Sequence, residues 1–243
     1  MTSYTAEPIG QRPRPGDQME ALFSDGWPKF ISADEEVKLY FARIRELFGD
    51  LELVLLDDSD VLVAAGWAVP IQWDETIEDL PTGYTNSLAR ALKCYDAGAE
   101  PDTLVMCAAQ IHPGRRGKGI ASELLTALKT VAGGKKVIAP VRPTLKSSYP
   151  LTPIERFARW TRPDGTAMDP WIRTHERMGA RILAPAPRSQ VMTATVAQWQ
   201  EWTGLAFPES GTYVIPDGLS TLAIDIDADL GTYVEPNVWM RHQ

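Results

Sequence analysis

The chain is short of the residues that staple or metallate a fold: of 243 residues two are cysteine and three histidine. Cys94 and Cys107 are too few for a disulfide framework and lack metal-type spacing, so no metal site is expected and a reducing compartment fits. Long apolar runs are missing as well. No segment approaches the roughly 18 to 20 apolar residues of a membrane span, and the N-terminus lacks the basic start and apolar centre of a signal peptide. The expected setting is cytoplasmic, with no membrane partner. Basic residues are the minority, 24 against 32 acidic, for a net charge of -8. That field repels nucleic acid and favours a small-molecule partner. What remains, 44% apolar and 23% charged residues, describes a globular chain rather than a disordered one.

The order of elements predicts a mixed α/β fold. Residues 1–16 are polar and carry Pro8, Pro13 and Pro15, which predicts a loose arm. Asp17 opens a short helix, and Ser32 caps a better one with Val37, Tyr40, Phe41, Ile44 and Leu47 at helical spacing. The runs Leu51–Leu56 and Val61–Val69 flank a polar turn and read as a hairpin, with Gly66 as a bulge marker. A helix follows over Asn86–Gly98. The nearly unbroken apolar run Thr103–Ile111 then reads as a central strand covered on both faces. After the glycine-rich basic loop His112–Gly119 come a helix, Ile120–Ala132, and a strand, Lys136–Val141, which together form a βαβ crossover. Asp169 and Pro170 start a further helix that Gly179 stops. A strand from Ala180, a helix at Thr195–Gly204 and an alternating tail complete the chain. The expected organisation is an arm at 1–16, a domain at 17–187, and a C-terminal extension at 188–243 packed on the same domain or on a homodimer partner.

The loop at 115–122 is the candidate anion site, the alternative being a solvated strand-to-helix connection. Glycines allow close backbone approach, the helix start offers free N–H groups, and Arg115, Arg116 and Lys118 add positive charge, a setting for a pyrophosphate. The spacing excludes a Walker A loop, because Gly119 stands where the magnesium-binding hydroxyl belongs, and a dinucleotide fingerprint, because Ser122 replaces its third glycine.

The string Arg116-x-x-Gly119-x-Ala121, after a strand ending Ile111-His112-Pro113, resembles the (Arg/Gln)-x-x-Gly-x-(Gly/Ala) motif of the GNAT N-acetyltransferase superfamily. The resemblance implies a mixed, mostly antiparallel twisted sheet flanked by helices, whose fourth and fifth strands splay apart to admit acetyl-CoA or another acyl-CoA. It places Ala109, Gln110 and Ile111 along the acyl and pantetheine part, and Arg116, Gly117, Lys118, Gly119, Ile120, Ala121 and Ser122 around the pyrophosphate. It implies direct transfer of an acetyl group to a primary amine of a small molecule. The alternative is a non-catalytic acyl-CoA sensor or scaffold of the same fold.

In many members a tyrosine protonates the departing thiolate. The matching position here is His175, so an imidazolium becomes the expected acid. The family's early fourth-strand glutamate corresponds to Thr103; Asp102, Glu155 and Asp169 are base candidates by location only. For the acceptor, Arg142, Lys146, Tyr149 and Trp160 offer cations beside an aromatic floor suited to a carboxylate or phosphate.

Overall fold

The computed structural model describes residues 4–11, 18, 22, 27–116 and 119–242. The helix expected from Asp17 therefore lies almost wholly outside the described residues. Among the described residues nine strands form one sheet: β1 (Thr5–Pro8), β2 (Glu52–Leu56), β3 (Leu62–Ile71), β4 (Thr103–Ile111), β5 (Lys136–Val141), β6 (Arg181–Ala194), β7 (Gly211–Val214), β8 (Thr221–Asp225) and β9 (Leu230–His242). The order is β1-β2-β3-β4-β5-β9-β8-β7, with β6 on the other edge of β9. Every pairing is antiparallel except β4 with β5.

Helices cover both faces. On one side α3 (Ile120–Val131) buries Ile120, Leu124, Leu125 and Leu128 against β2 to β5, and α4 (Pro170–Arg177) adds Ile172. Each such side chain contributes roughly 1.5–3 kcal/mol by burial. On the other side α1 (Glu35–Phe48) and α2 (Tyr84–Asp96) bring Ile44, Leu88, Ala91 and Leu92 onto Val69, Val105 and Trp239. A third cluster joins Phe30, Trp199 of α5 (Val196–Thr203) and Tyr233 of β9.

Local signals set the helix ends. Asp169 accepts from the N–H groups of Trp171 and Ile172 with Pro170 behind it, and Thr195 closes a capping box with Gln198; both devices satisfy donors that a helix start leaves open. The cap of α1 is Asp34 rather than Ser32, which sits in a preceding 3-10 turn.

Two organisational expectations change. Thr5–Pro8 pairs with Leu56–Leu53 as an edge strand where a loose arm is expected; an edge is where a strand tolerates proline. The boundary at 187 falls inside β6, and the supposed extension supplies the sheet's hub. β9 pairs with β5 through Val238–His242, with β8 through Leu230–Tyr233 on the same edge, and with β6 along its opposite edge. Trp239 is 1% exposed, and its indole N–H donates to the Pro81 carbonyl at 2.9 Å.

Candidate active site in the splayed sheet

β4 and β5 are paired only at Thr103–Val105 with Lys136–Ile138, although β4 runs on to Ile111 and β5 to Val141. Beyond Val105 the two strands part and leave one edge of β4 free. The other edge carries a bulge. Trp67 pairs with Ala108 and Ala68 with Met106, so Cys107 is the extra residue. The bulge also switches the strand's parity: Leu104 and Met106 pack on the α3 side before it, and Ala109 and Ile111 after it. Gly66, read as a bulge marker, instead lies opposite Ala109, and a Cβ there would sit 2.8 Å from the Ala108 carbonyl oxygen and 3.1 Å from Leu128.

The opened V forms a cleft of about 630 Å³ lined by Met106–Ile111, Arg115, Arg116, Gly119–Ser122, Ala139–Arg142, and Trp171 and His175 of α4. At its mouth Gly119 caps α3 with φ +80°, in the left-handed region that favours glycine. The helix start and dipole create positive potential there. Arg115 donates to Asp57 at 3.0 Å, and the His112 imidazole accepts from the Gly114 N–H at 3.2 Å, which tethers the loop. Cys107 lines the cleft, but burial pushes its thiol far above the ordinary range. It is no nucleophile.

Of the residues singled out by sequence, Ala109, Gln110, Ile111, Arg116, Gly119, Ile120, Ala121, Ser122, Arg142 and His175 are brought together in this cleft. Gly117 and Lys118 lie outside the described residues. Lys146, Tyr149 and Trp160 are elsewhere. Tyr149 and Trp160 stack edge to face with centroids 4.9 Å apart, and Lys146, 1% exposed, donates to the Tyr149 carbonyl at 2.8 Å and to the Leu219 carbonyl. Burial pulls this ammonium down to about 8 against the opposing pull of Glu235. Lys146 therefore ties the loop at Tyr149 to the loop before β8, with two of its three N–H donors on carbonyls.

His175 also departs from its expected role. It is 2% exposed, and burial, helped by neighbouring His242, lowers its pKa to about 3. The ring is neutral near pH 7 and is not the cationic acid the sequence suggests. The three carboxylate candidates stand outside the cleft. Asp102 accepts from Thr103, Lys136 and the Trp73 N–H; Asp169 caps α4 and takes the Leu145 N–H; Glu155 is exposed. Sequence reasoning misses Trp27 and Thr144, which line the cleft, and Glu235, which lies directly behind Arg142.

No family model matches the chain. It is 30% identical to the arginine N-acetyltransferase avaD of Aspergillus versicolor, over 98% of this chain and 93% of that protein. The chain belongs to the GNAT N-acetyltransferase superfamily. Two solved structures share the fold end to end. The loading GNATL domain of CurA from Lyngbya majuscula gives a TM-score of 0.57 at 16% identity, over 99% of this chain and 98% of that one. The GphF GNAT-like decarboxylase in complex with isobutyryl-CoA gives 0.53 at 18% identity, over 100% and 98%.

As a GNAT member the protein is an acyl-CoA-dependent acyltransferase, and its residues fit that cosubstrate. The free β4 edge would face an amide-bearing pantetheine arm with its backbone groups, and Gly119–Ser122 with Arg116 would hold the pyrophosphate. No cluster of His, Cys, Asp and Glu suited to a metal occurs among the described residues, and none of their helices is long and apolar enough to cross a membrane.

Proposed function

We propose that this acyltransferase moves an acetyl group from acetyl-CoA directly to the primary amine of a small carboxylate-bearing acceptor, an amino acid of the arginine class. The observation that carries the reading is Arg142. It stands at the end of β5 in the cleft, its Nε–H donates to the fully buried Glu235 carboxylate, and one terminal nitrogen donates to the Asp217 carbonyl at 2.8 Å. A guanidinium has five N–H donors, so this anchoring leaves donors for an acceptor carboxylate. The Aspergillus relative, an arginine N-acetyltransferase, supports the same acceptor class.

Acetyl-CoA supplies an acyl group activated as a thioester. The chain's residues supply position and charge. Arg115, Arg116, Arg142 and Arg177 line the cleft with no carboxylate among its described lining residues; a cation close to an incoming ammonium lowers its pKa and favours the neutral, attacking amine. The amine then attacks with its lone pair, its nitrogen–carbon bond forms as the carbon–sulfur bond breaks, and the amine's proton leaves with solvent while the thiolate gains one. Holding both reactants in one cleft accounts for much of the acceleration.

Thiol release from acetyl-CoA with arginine, and with its decarboxylated analogue, tests the reading. Turnover is expected with arginine, with KM raised at least about tenfold for the analogue, the equivalent of one charge-assisted hydrogen bond. Equal KM values would remove the carboxylate clamp, and no turnover with any amino acid would remove the acceptor class.

A further inference from the structure

At the closed end of the V, where β4 and β5 are still paired, lies a second cavity of about 670 Å³. Lys129 of α3, Lys135, Lys136 and Val137 of β5, Arg181 of β6, and Arg241 and His242 of β9 line it, and none of them lines the acyl-CoA cleft. No carboxylate is among the described lining residues. Lys136 is neutralised by Asp102 at 3.0 Å and Glu75 at 3.6 Å, and Arg241 by Glu75 at 2.7 Å. Lys129, Lys135 and Arg181 form no ion pair among the described residues, so three positive charges converge on one concavity.

Charge alone would make this a solvated face. His242 makes it more, because it is 3% exposed at the cavity's edge and its Nδ1 is buried with no hydrogen-bond partner among the described residues. Its Nε2 lies 2.9 Å from Nδ1 of His175, a residue that lines the cleft, and His175 Nε2 is likewise buried and without a hydrogen-bond partner among the described residues. Two imidazoles in contact thus connect the basic cavity with the acyl-CoA cleft, and each has one orphan nitrogen.

We propose that the basic cavity binds a phosphate-type anion and that its occupancy reverses the hydrogen bond between His242 and His175. Burial keeps both rings neutral near pH 7, with pKa values of about 4 and about 3, so a single proton lies between them. Either His242 Nε2–H donates to His175 Nδ1, or the reverse. The positive cavity favours a lone pair on His242 Nδ1, and the nearby Lys129 already acts against protonation of this ring. His242 then donates, and His175 Nε2 carries an N–H. An anion on Lys129, Lys135 and Arg181 cancels that field and favours a proton on His242 Nδ1. The bridging proton passes to His175 Nδ1, while His242 Nδ1 gains one proton and His175 Nε2 loses one by exchange with solvent when the pair opens. No charge accumulates, and His175 Nε2 changes from donor to acceptor. A phosphate suits the cavity better than a carboxylate because its oxygens and double charge match several converging cations.

Side-chain ¹⁵N NMR of the full chain at neutral pH, titrated with inorganic phosphate and separately with acetate, tests the proposal. Without phosphate, His242 Nδ1 and His175 Nε2 are expected at pyridine-type and pyrrole-type shifts respectively. Phosphate should exchange the two types with half-saturation below about 1 mM, and acetate should not. The exchange should survive Arg116→Ala, which removes a cation from the acyl-CoA loop, and vanish in Lys129→Ala/Arg181→Ala, whose folding is read from the same spectrum. Unchanged shifts at saturating phosphate, an equal response to acetate, or a response that survives the double substitution would each overturn it.

Discussion

Glu235 accepts the Arg142 Nε–H with one carboxylate oxygen and the Tyr233 hydroxyl with the other, and the same hydroxyl accepts the Leu219 N–H at 2.7 Å. β5, β9 and the loop before β8 therefore meet at one buried carboxylate. Burial raises the Glu235 carboxyl while the Arg142 guanidinium pulls it back down, and an ion pair of this kind is worth more intact than broken.

Arg142→Ala should separate binding from stability. It leaves Glu235 buried without its cation, which costs on the order of 3 kcal/mol in denaturant melts. It should also raise KM for a carboxylate-bearing amine well above the rise for a carboxylate-free one. A uniform fall in kcat with unchanged KM would place Arg142 outside acceptor binding.

Gly119→Val tests the mouth of the cleft. Among the described residues no atom beyond the chain neighbours lies within 4 Å of a Cβ placed there, so the main cost is the left-handed backbone, about 1–2 kcal/mol. Because that backbone aims the first turn of α3, calorimetry should show CoA affinity falling about tenfold. Gly98→Val carries the same strain at φ +60° in the turn after α2 and should leave CoA affinity intact.

The segment from Thr103 to Val131 is legible in the sequence because its signals are local: an apolar run, glycines at a turn, and a helix of 3.6-residue period ended by Gly133. The bulge at Cys107 is not, since no glycine or proline marks it and it exists only in register with Trp67 and Ala68. β9 is hidden for a related reason. Glu235, Pro236 and Asn237 interrupt its apolar pattern, yet they fall where β6 itself bulges between Ala186 and Gln190, so the ladder absorbs them. His175 follows from the motif, but its neutral state depends on burial and on His242, 67 residues away. Likewise Arg142 stands out by its charge, whereas Glu235, 93 residues on, gives it direction.

Gly66→Ala tests how tightly α3 presses on the bulge. The added Cβ would meet the Ala108 carbonyl oxygen at 2.8 Å and two leucines within 3.3 Å, a clash that must move β4 against β3 or lift the helix. The expected loss is about 1–3 kcal/mol, with kcat falling because Ala108 lines the cleft. Full activity at unchanged melting temperature would mean that the sheet relaxes without disturbing the free edge.

Acid should unfold the protein through the histidine pair before its carboxylates titrate. Burial depresses His175 from 6.5 to about 3 and His242 from 6.5 to about 4. Below about pH 6.5 the unfolded chain binds protons that the folded chain refuses, so stability is complete above that value and declines as pH falls toward the folded pKa values. The two histidines should contribute a slope of about 2–3 kcal/mol per pH unit between about pH 6 and 5, since each proton bound by the unfolded chain and refused by the folded one is worth about 1.4 kcal/mol per pH unit. Glu235 works in the opposite sense, because a raised carboxyl takes up its proton more readily folded than unfolded. Comparison with His242→Gln therefore isolates the histidine contribution: urea midpoints of the variant should fall less steeply over this range than those of the native chain. Parallel curves would show that the pair opens to water before it charges.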